Sequence, residues 1–335
     1  MKNISKSILF TALLAVLATL TGCGPDSYRS INGAVWNTTF HVTYNSGRNL
    51  DDSIRSVMRR VELSLSPFND SSLISAVNRG EDVKADSLLR KVLECSRQVS
   101  RLSGGMYDPT LSPLINLWGF GYRNSDSIPD ESMIAEALLS VGIDGCDITA
   151  DGTVIKKSPL TEFNFSSITK GLACDEIGGM LARNGCTDYM VEIGGEIALS
   201  GRNSKGKPWR IGIEAPREGI APGSVEAVSV INLTDCGVAT SGNYRNYRKD
   251  DSGKSFGHTI SAVTGRPVDT STLSATVVAP SCMLADALAT AVMAVDTVAV
   301  AQMADALPDV WIMLVTATPS GEYHISEFGT RSIFE

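Results

Sequence analysis

Residues 190–214 read MVEIGGEIALSGRNSKGKPWRIGIE. Apolar and polar positions alternate from Met190 to Leu199 and again from Trp209 to Glu214, the period of strands with one buried face. The intervening Gly201 to Lys207 spells G-x-x-x-x-G-K, the pattern of a phosphate loop. A phosphate loop requires Ser or Thr next, to hold magnesium, and then a helix; here Pro208 and a strand follow. The segment therefore predicts a hairpin connection, and with it antiparallel sheet.

The same alternation of strand-like runs and turns extends outward. Val228 to Leu233, His258 to Ser261, Ser274 to Ala279 and Val310 to Val315 are expected strands, as is Ala34 to Tyr44, which ends at Asn45-Ser46-Gly47. Helical spacing appears at Asp51 to Leu65, with Ile54, Val57, Met58, Val61 and Leu65 on one face, and around Ser72 to Arg79. Asp86 caps a longer helix that Ser103-Gly104-Gly105 stops. Further helices are expected as a turn running into Leu117, at Pro129 to Val141, from Ser166 or Ser167 to Asn184-Gly185, and from Ser281 to about Val295. Strands and helices mix without regular alternation. That pattern predicts an α+β fold with mostly antiparallel sheets and packed helices, in a single domain that is bilobed at most.

The N-terminus has a different character. Lys2 and Lys6 precede a largely apolar run from Ile8 to Leu20, and Leu20-Thr21-Gly22-Cys23 follows. Basic, apolar and small-residue regions in that order read as a secretory signal. The run is short of the roughly 20 residues needed to span a bilayer. Cysteine just after the cut resembles a lipobox. The expected division is a signal peptide over 1–22, acylated Cys23 opening a tether over 23–32, and a folded domain over 33–335. The chain is then lipid-anchored in a bacterial envelope, on the periplasmic or another extracytoplasmic face of a membrane. Gly24 gives no inner-membrane retention signal, so the membrane is left open.

A formal charge of −8 and no basic block argue against nucleic acid as a partner. Besides Cys23 there are Cys95, Cys146, Cys174, Cys186, Cys236 and Cys282. They are irregularly spaced, with no C-x-x-C pair, and read as buried free thiols even in an oxidising compartment. His41, His258 and His324 do not pair with them at zinc-ligand spacing. Dinucleotide-fold, nucleophile-elbow and zinc-protease signatures are also missing.

Four segments carry chemistry. Asp286 is the only charge in the apolar stretch Met283 to Val295, and Thr290 lies four residues on, on the same helical face. A packed carboxylate needs a partner: an arginine elsewhere, or a hard cation such as magnesium or calcium that takes both oxygens. In Asn164-Phe165-Ser166-Ser167-Ile168-Thr169-Lys170-Gly171, Lys170 falls in a helix's first turn, where an anion would account for a charge that the dipole disfavours. The alternative is a solvated lysine behind a Ser166 cap. Gly104 to Thr110 offers paired glycines and Tyr107, which with Trp118 and Phe120 could wall a planar ligand or simply fill the core. Thr240-Ser241-Gly242-Asn243-Tyr244 is followed by His258, open to reading as a base, a phosphate ligand or a strand residue.

Taken in order, these segments resemble the FAD:protein FMN transferases, the ApbE-type flavin transferases. The matching pieces are Leu65 to Leu73, Gly105 to Thr110 with Leu117 to Gly121, Ser166 to Gly171, Glu192 to Ile197, Thr240 to Gly242, His258 to Pro267 and Ala285 to Thr290. The resemblance implies a magnesium-dependent enzyme that splits FAD and joins FMN through a phosphoester to a Thr or Ser of an acceptor flavoprotein, such as an envelope redox subunit, releasing AMP. It implies that Asp286 and Thr290, with the Ser167 carbonyl, hold the metal and that Lys170 meets the pyrophosphate. FAD would lie along Trp36, Phe68, Met106, Tyr107, Asp108, Asn164 and Ile260, with His258 as base and Asp286 catalytic through the metal. Asn164 stands where the family often has Asp, Thr169 where Ala is usual, and Trp36-Asn37-Thr38 replaces Met-Gly-Thr. The segment after His258 lacks a common Asp-Pro. An FAD-hydrolysing pyrophosphatase and a non-catalytic flavin- or solute-binding lipoprotein are the competing readings.

Overall fold

Trp36 and Asn37 adopt φ of 49° and 60°, left-handed values that reverse the chain within two residues. They join β1 (Tyr28–Val35) to β2 (Thr38–Asn45), which pair from Tyr28↔Asn45 to Val35↔Thr38. The single strand expected over 34–44 is therefore a hairpin, and residues 28–32, read as tether, belong to β1. Asparagine is the ordinary residue for this conformation; tryptophan is not, which is why the turn was hidden.

The computed structural model describes residues 27–123, 128–214, 216, 227–242, 247–249, 255–268, 270–318 and 323–330. The signal-like segment with Cys23 and Gly24, and the pair Asn243-Tyr244, lie outside them. After the first hairpin come α1 (Asp51–Leu65), α2 (Leu73–Asn78) and α3 (Ser87–Leu102), then α4 (Ser112–Leu117), α5 (Glu131–Leu138) and the short ribbon of β3 (Asp147–Ile148) and β4 (Val154–Ile155). Next are α6 (Thr169–Arg183), β5 (Tyr189–Ile193), β6 (Glu196–Ser200), β7 (Trp209–Glu214), β8 (Ala227–Leu233) and β9 (Gly237–Gly242). A ribbon of β10 (Tyr247–Lys249) and β11 (Ser255–Gly257) precedes β12 (Thr272–Ala279), α7 (Cys282–Val292), α8 (Thr297–Ala306), β13 (Trp311–Ala317) and β14 (Tyr323–Gly329).

Eight strands form one sheet in the order β1-β2-β5-β6-β9-β12-β13-β14, and every neighbouring pair is antiparallel. Alternation along the strands sends side chains to two cores. Val277, Ile312 and Leu314 join Phe40, Val42 and Val191 beneath α1, α3, α6 and α7, in the larger core. Val278, Trp311, Met313 and Val315 face the other way, onto Trp209, Ile211, Ile213, Ile231 and Leu233 of the β7–β8 hairpin. Because β13 is covered on both faces, its sequence reads as an unbroken apolar run. A satellite core of Leu111, Leu114, Trp118, Ile134, Val141 and Ile260 holds α4 and α5 against the 260–267 loop.

Several expectations change. β7 does not pair with the Met190–Leu199 segment, which is itself a hairpin turning at Gly194-Gly195; β7 pairs with β8 in a separate two-stranded sheet. His258 to Ser261 is not a strand. Only Ile260 pairs, with Pro267, and Gly265 N–H donates to the Ser261 carbonyl at 2.8 Å to close a turn. The helix expected to reach Val295 stops at Val292, and α8, β9 and β14 were not foreseen. The six cysteines at 95, 146, 174, 186, 236 and 282 are buried free thiols. Among the described residues, no helix is long and apolar enough to cross a membrane.

Candidate active site

The site is built where α6 and α7 meet, and each helix supplies the acid for the other's N-terminus. Asp175, on α6, accepts from the first two amides of α7, Cys282 N–H at 2.9 Å and Met283 N–H at 2.8 Å. Ser281 Oγ takes the third, from Leu284, at 3.2 Å. In return, Asp286 Oδ2 on α7 accepts from Gly171 N–H in the first turn of α6 at 2.9 Å. No side chain on α6's own N-terminal flank does this, because the cap position is Ile168 and the helix begins at Thr169, later than Ser166 or Ser167 predicted. The close crossing needs Gly171: a Cβ there would lie 2.4 Å from the Cys282 carbonyl oxygen and 2.8 Å from Asp286 Cβ.

This crossing gathers three charges. Asp286 is 2% exposed, and its second oxygen, Oδ1, lies 3.9 Å from Lys170 Nζ. Glu196, the first residue of β6, is 3% exposed and places Oε1 at 3.2 Å from the same ammonium. Asp286 thus partners a lysine and a backbone amide, not an arginine. Burial pushes both carboxyls up from their ordinary values, and Lys170 opposes that shift. Burial works against the charged lysine as well, but Asp286 and then Glu196 outweigh it and hold Lys170 above its ordinary range. Beside them Thr290 Oγ1 lies 3.3 Å from Ser241 Oγ. Among the described residues, no group of three or more His, Cys, Asp or Glu forms a ready metal cage. The donors still fit a hard cation that shares its shell with a ligand: among the described residues Asp286 Oδ1 has only a long ionic contact, and the Thr290 hydroxyl lies one turn along the same helix.

Above these groups opens a cavity of about 980 Å³, at the upper end for small-molecule sites. Phe68, Met106, Tyr107, Asp108, Asn164, Ser167, Lys170, His258, Ile260, Asp286 and Thr290 all border it. Phe68 is 67% exposed and meets Tyr122 edge-on, with ring centroids 5.9 Å apart. His258 sits 6.3 Å from the Phe120 ring, and Ser261 Oγ reaches Met106 Sδ at 3.6 Å. Asn164 Oδ1 accepts from Ser166 N–H at 3.0 Å, shaping the turn ahead of α6. Ser167 Oγ donates to Tyr107 Oη at 3.1 Å, and burial pushes that phenol up.

Two placements differ from the resemblance. Trp36 does not border the cavity; its ring packs against the main core and its turn neighbours Asn37 and Thr38 face the opening instead. Asp108 borders the cavity, but its carboxylate is committed to the frame. It accepts from Thr110 N–H at 2.8 Å, Thr110 Oγ1 at 2.6 Å and Ile143 N–H at 2.8 Å, and burial raises its pKa. Trp118 is core, donating from Nε1 to the Gly265 carbonyl at 2.7 Å.

Residues 36–314 match the family model of the ApbE family. The chain belongs to the ApbE family. An FAD:protein FMN transferase of Vibrio cholerae is 34% identical over 329 residues, covering 94% of this chain and 96% of that protein. One of Haemophilus influenzae is 32% identical over 304 residues, 86% of each chain. The solved structure of the flavin transferase ApbE from Vibrio cholerae superposes with a TM-score of 0.80 at 29% identity, covering 93% of this chain and all of that one. The sequence alone gave no role to Glu196 and did not reveal Asp175. Asp175 carried the same signal that revealed Asp286, an acid on the packed part of a helix, but its neighbour Glu176 disguised it as surface charge.

Proposed function

We propose that this ApbE-family chain is an FAD:protein FMN transferase, joining FMN through a phosphoester to a Thr or Ser hydroxyl of an acceptor flavoprotein and releasing AMP. The observation that carries the reading is the convergence of buried Asp286 with half-buried Lys170 and Thr290 on one cavity that His258 also borders. Magnesium held by Asp286 and Thr290, with the Ser167 carbonyl, would supply neutralisation of pyrophosphate charge. Lys170 binds the pyrophosphate and offsets its charge. His258 accepts the proton of the incoming hydroxyl, whose oxygen forms the new bond to the FMN phosphorus as the P–O bond to AMP breaks. Phe68, Met106, Tyr107, Asn164 and Ile260 line the flavin's path and exclude water from it. Asp108 acts by holding the frame beneath them.

Mature protein attached through acylated Cys23 would meet acceptors at an extracytoplasmic membrane face, an envelope redox subunit being the expected class. The test is incubation of the soluble domain with FAD, magnesium and such an acceptor. Flavin fluorescence that stays with the denatured acceptor supports transfer. Free FMN and AMP alone would mean hydrolysis, and unchanged FAD would mean binding without turnover.

A further inference from the structure

Glu196 follows the Gly194-Gly195 turn directly, and its carbonyl accepts from Cys174 Sγ at 3.3 Å, one turn along α6 from Lys170. Its place is therefore set by the backbone. Oε1 takes the Lys170 ammonium at 3.2 Å, while Oε2 is buried, borders the cavity region and has no hydrogen-bond partner among the described residues. A carboxylate offers acceptors only, as does a pyrophosphate. A bare pyrophosphate arriving here meets one ammonium already shared by two carboxylates, at 3.2 Å and 3.9 Å, together with an unsatisfied acceptor. Glu192, whose Oε1 accepts from Gly195 N–H at 2.8 Å, adds a further carboxylate at the border.

We propose that Glu196 is a positioning residue that restrains Lys170 and so makes FAD binding depend on the divalent cation. The proposal rests on the reading of Lys170 and Asp286 given above. Lys170 facing Asp286 and Glu196 leaves the floor of the cavity with one net negative charge, and a divalent cation at Asp286 turns that into one net positive charge toward the dinucleotide. Cation and FAD then raise each other's affinity by the same factor.

The test is the FAD dissociation constant, read by flavin fluorescence at about pH 9, above the value of about 8 to which burial raises the Glu196 carboxyl. It is measured with EDTA and with millimolar magnesium, for wild type, Glu196→Gln and Glu196→Asp. The Gln variant should bind FAD without metal roughly tenfold more tightly than wild type, with a correspondingly smaller gain on adding magnesium. The Asp variant keeps the charge and should retain most of the wild-type gain. A Gln variant with the wild-type magnesium gain would overturn the proposal. Should that variant not fold, wild type decides: an FAD affinity indifferent to magnesium overturns the proposal, and a large gain that Glu196→Asp preserves supports it. No FAD binding by wild type in either buffer would instead remove the flavin reading, and this inference with it.

Discussion

Asp286 has two obligations, and they reside on different oxygens. Oδ2 closes the first turn of α6 through Gly171, and Oδ1 faces Lys170 and the cavity. Asparagine can keep an oxygen toward Gly171 while losing the charge, whereas alanine loses both. Asp286→Asn should therefore fold with a stability change of about 1 kcal/mol and lose at least roughly a hundredfold in magnesium-dependent turnover. Asp286→Ala should lose the same activity and a further 1–2 kcal/mol, roughly, from the unsatisfied buried amide. Urea denaturation beside FAD turnover separates the two roles, and full activity in the Asn variant would remove Asp286 from the chemistry. The charged oxygen was legible in the sequence, because a lone acid among Met283 to Val295 demands a partner. The capping oxygen was not, because Gly171 is remote in sequence and only the tertiary crossing brings it near.

At the scale of elements, reciprocal capping makes α6 and α7 one unit, and Asp175 is its other half. Burial raises the Asp175 carboxyl to about 6, against the pull of the Met283 and Cys282 amides. The folded chain therefore holds this proton more tightly than the unfolded chain does. Its contribution to stability is greatest below the ordinary carboxyl value near pH 4 and is lost as pH rises through about 6. Asp175→Asn abolishes that titration. The stability advantage of wild type over the variant should shrink by about 2 kcal/mol at most between pH 4 and pH 7, measured by urea denaturation. An advantage that grows over that range would contradict the assignment. Helices with strong apolar periodicity were readable to within a residue or two, as at Asp51–Leu65, and so was the helix that the Asp86 side chain caps. Elements whose boundaries depend on tertiary contacts were not. The β1–β2 turn rests on a tryptophan at positive φ, and β7 pairs with β8, which lies beyond residues 215–226 in sequence.

For the whole molecule, the antiparallel sheet and its helix layer were legible in the tight turns between strand-like runs and the absence of βαβ alternation, although the 201–207 connection read as a hairpin joins strands of two different sheets. The strand order was not, since β9 inserts between β6 and β12 through contacts that no local pattern encodes. The site was legible as ordered motifs, but the partnership of Glu196 with Lys170 depends on the fold. The proposed anchor is tested at this scale too: Cys23→Ala should move the protein from the membrane fraction to the soluble extract of the envelope, and unchanged membrane association would sink the lipid-anchor proposal. Transfer is distinguished from hydrolysis by counting products in a single incubation with FAD, magnesium and acceptor. Intact mass of the acceptor gives covalent FMN, and chromatography gives AMP. One AMP for each FMN attached, with little free FMN, is the expected result. AMP matched by free FMN, with the acceptor mass unchanged, would contradict transfer.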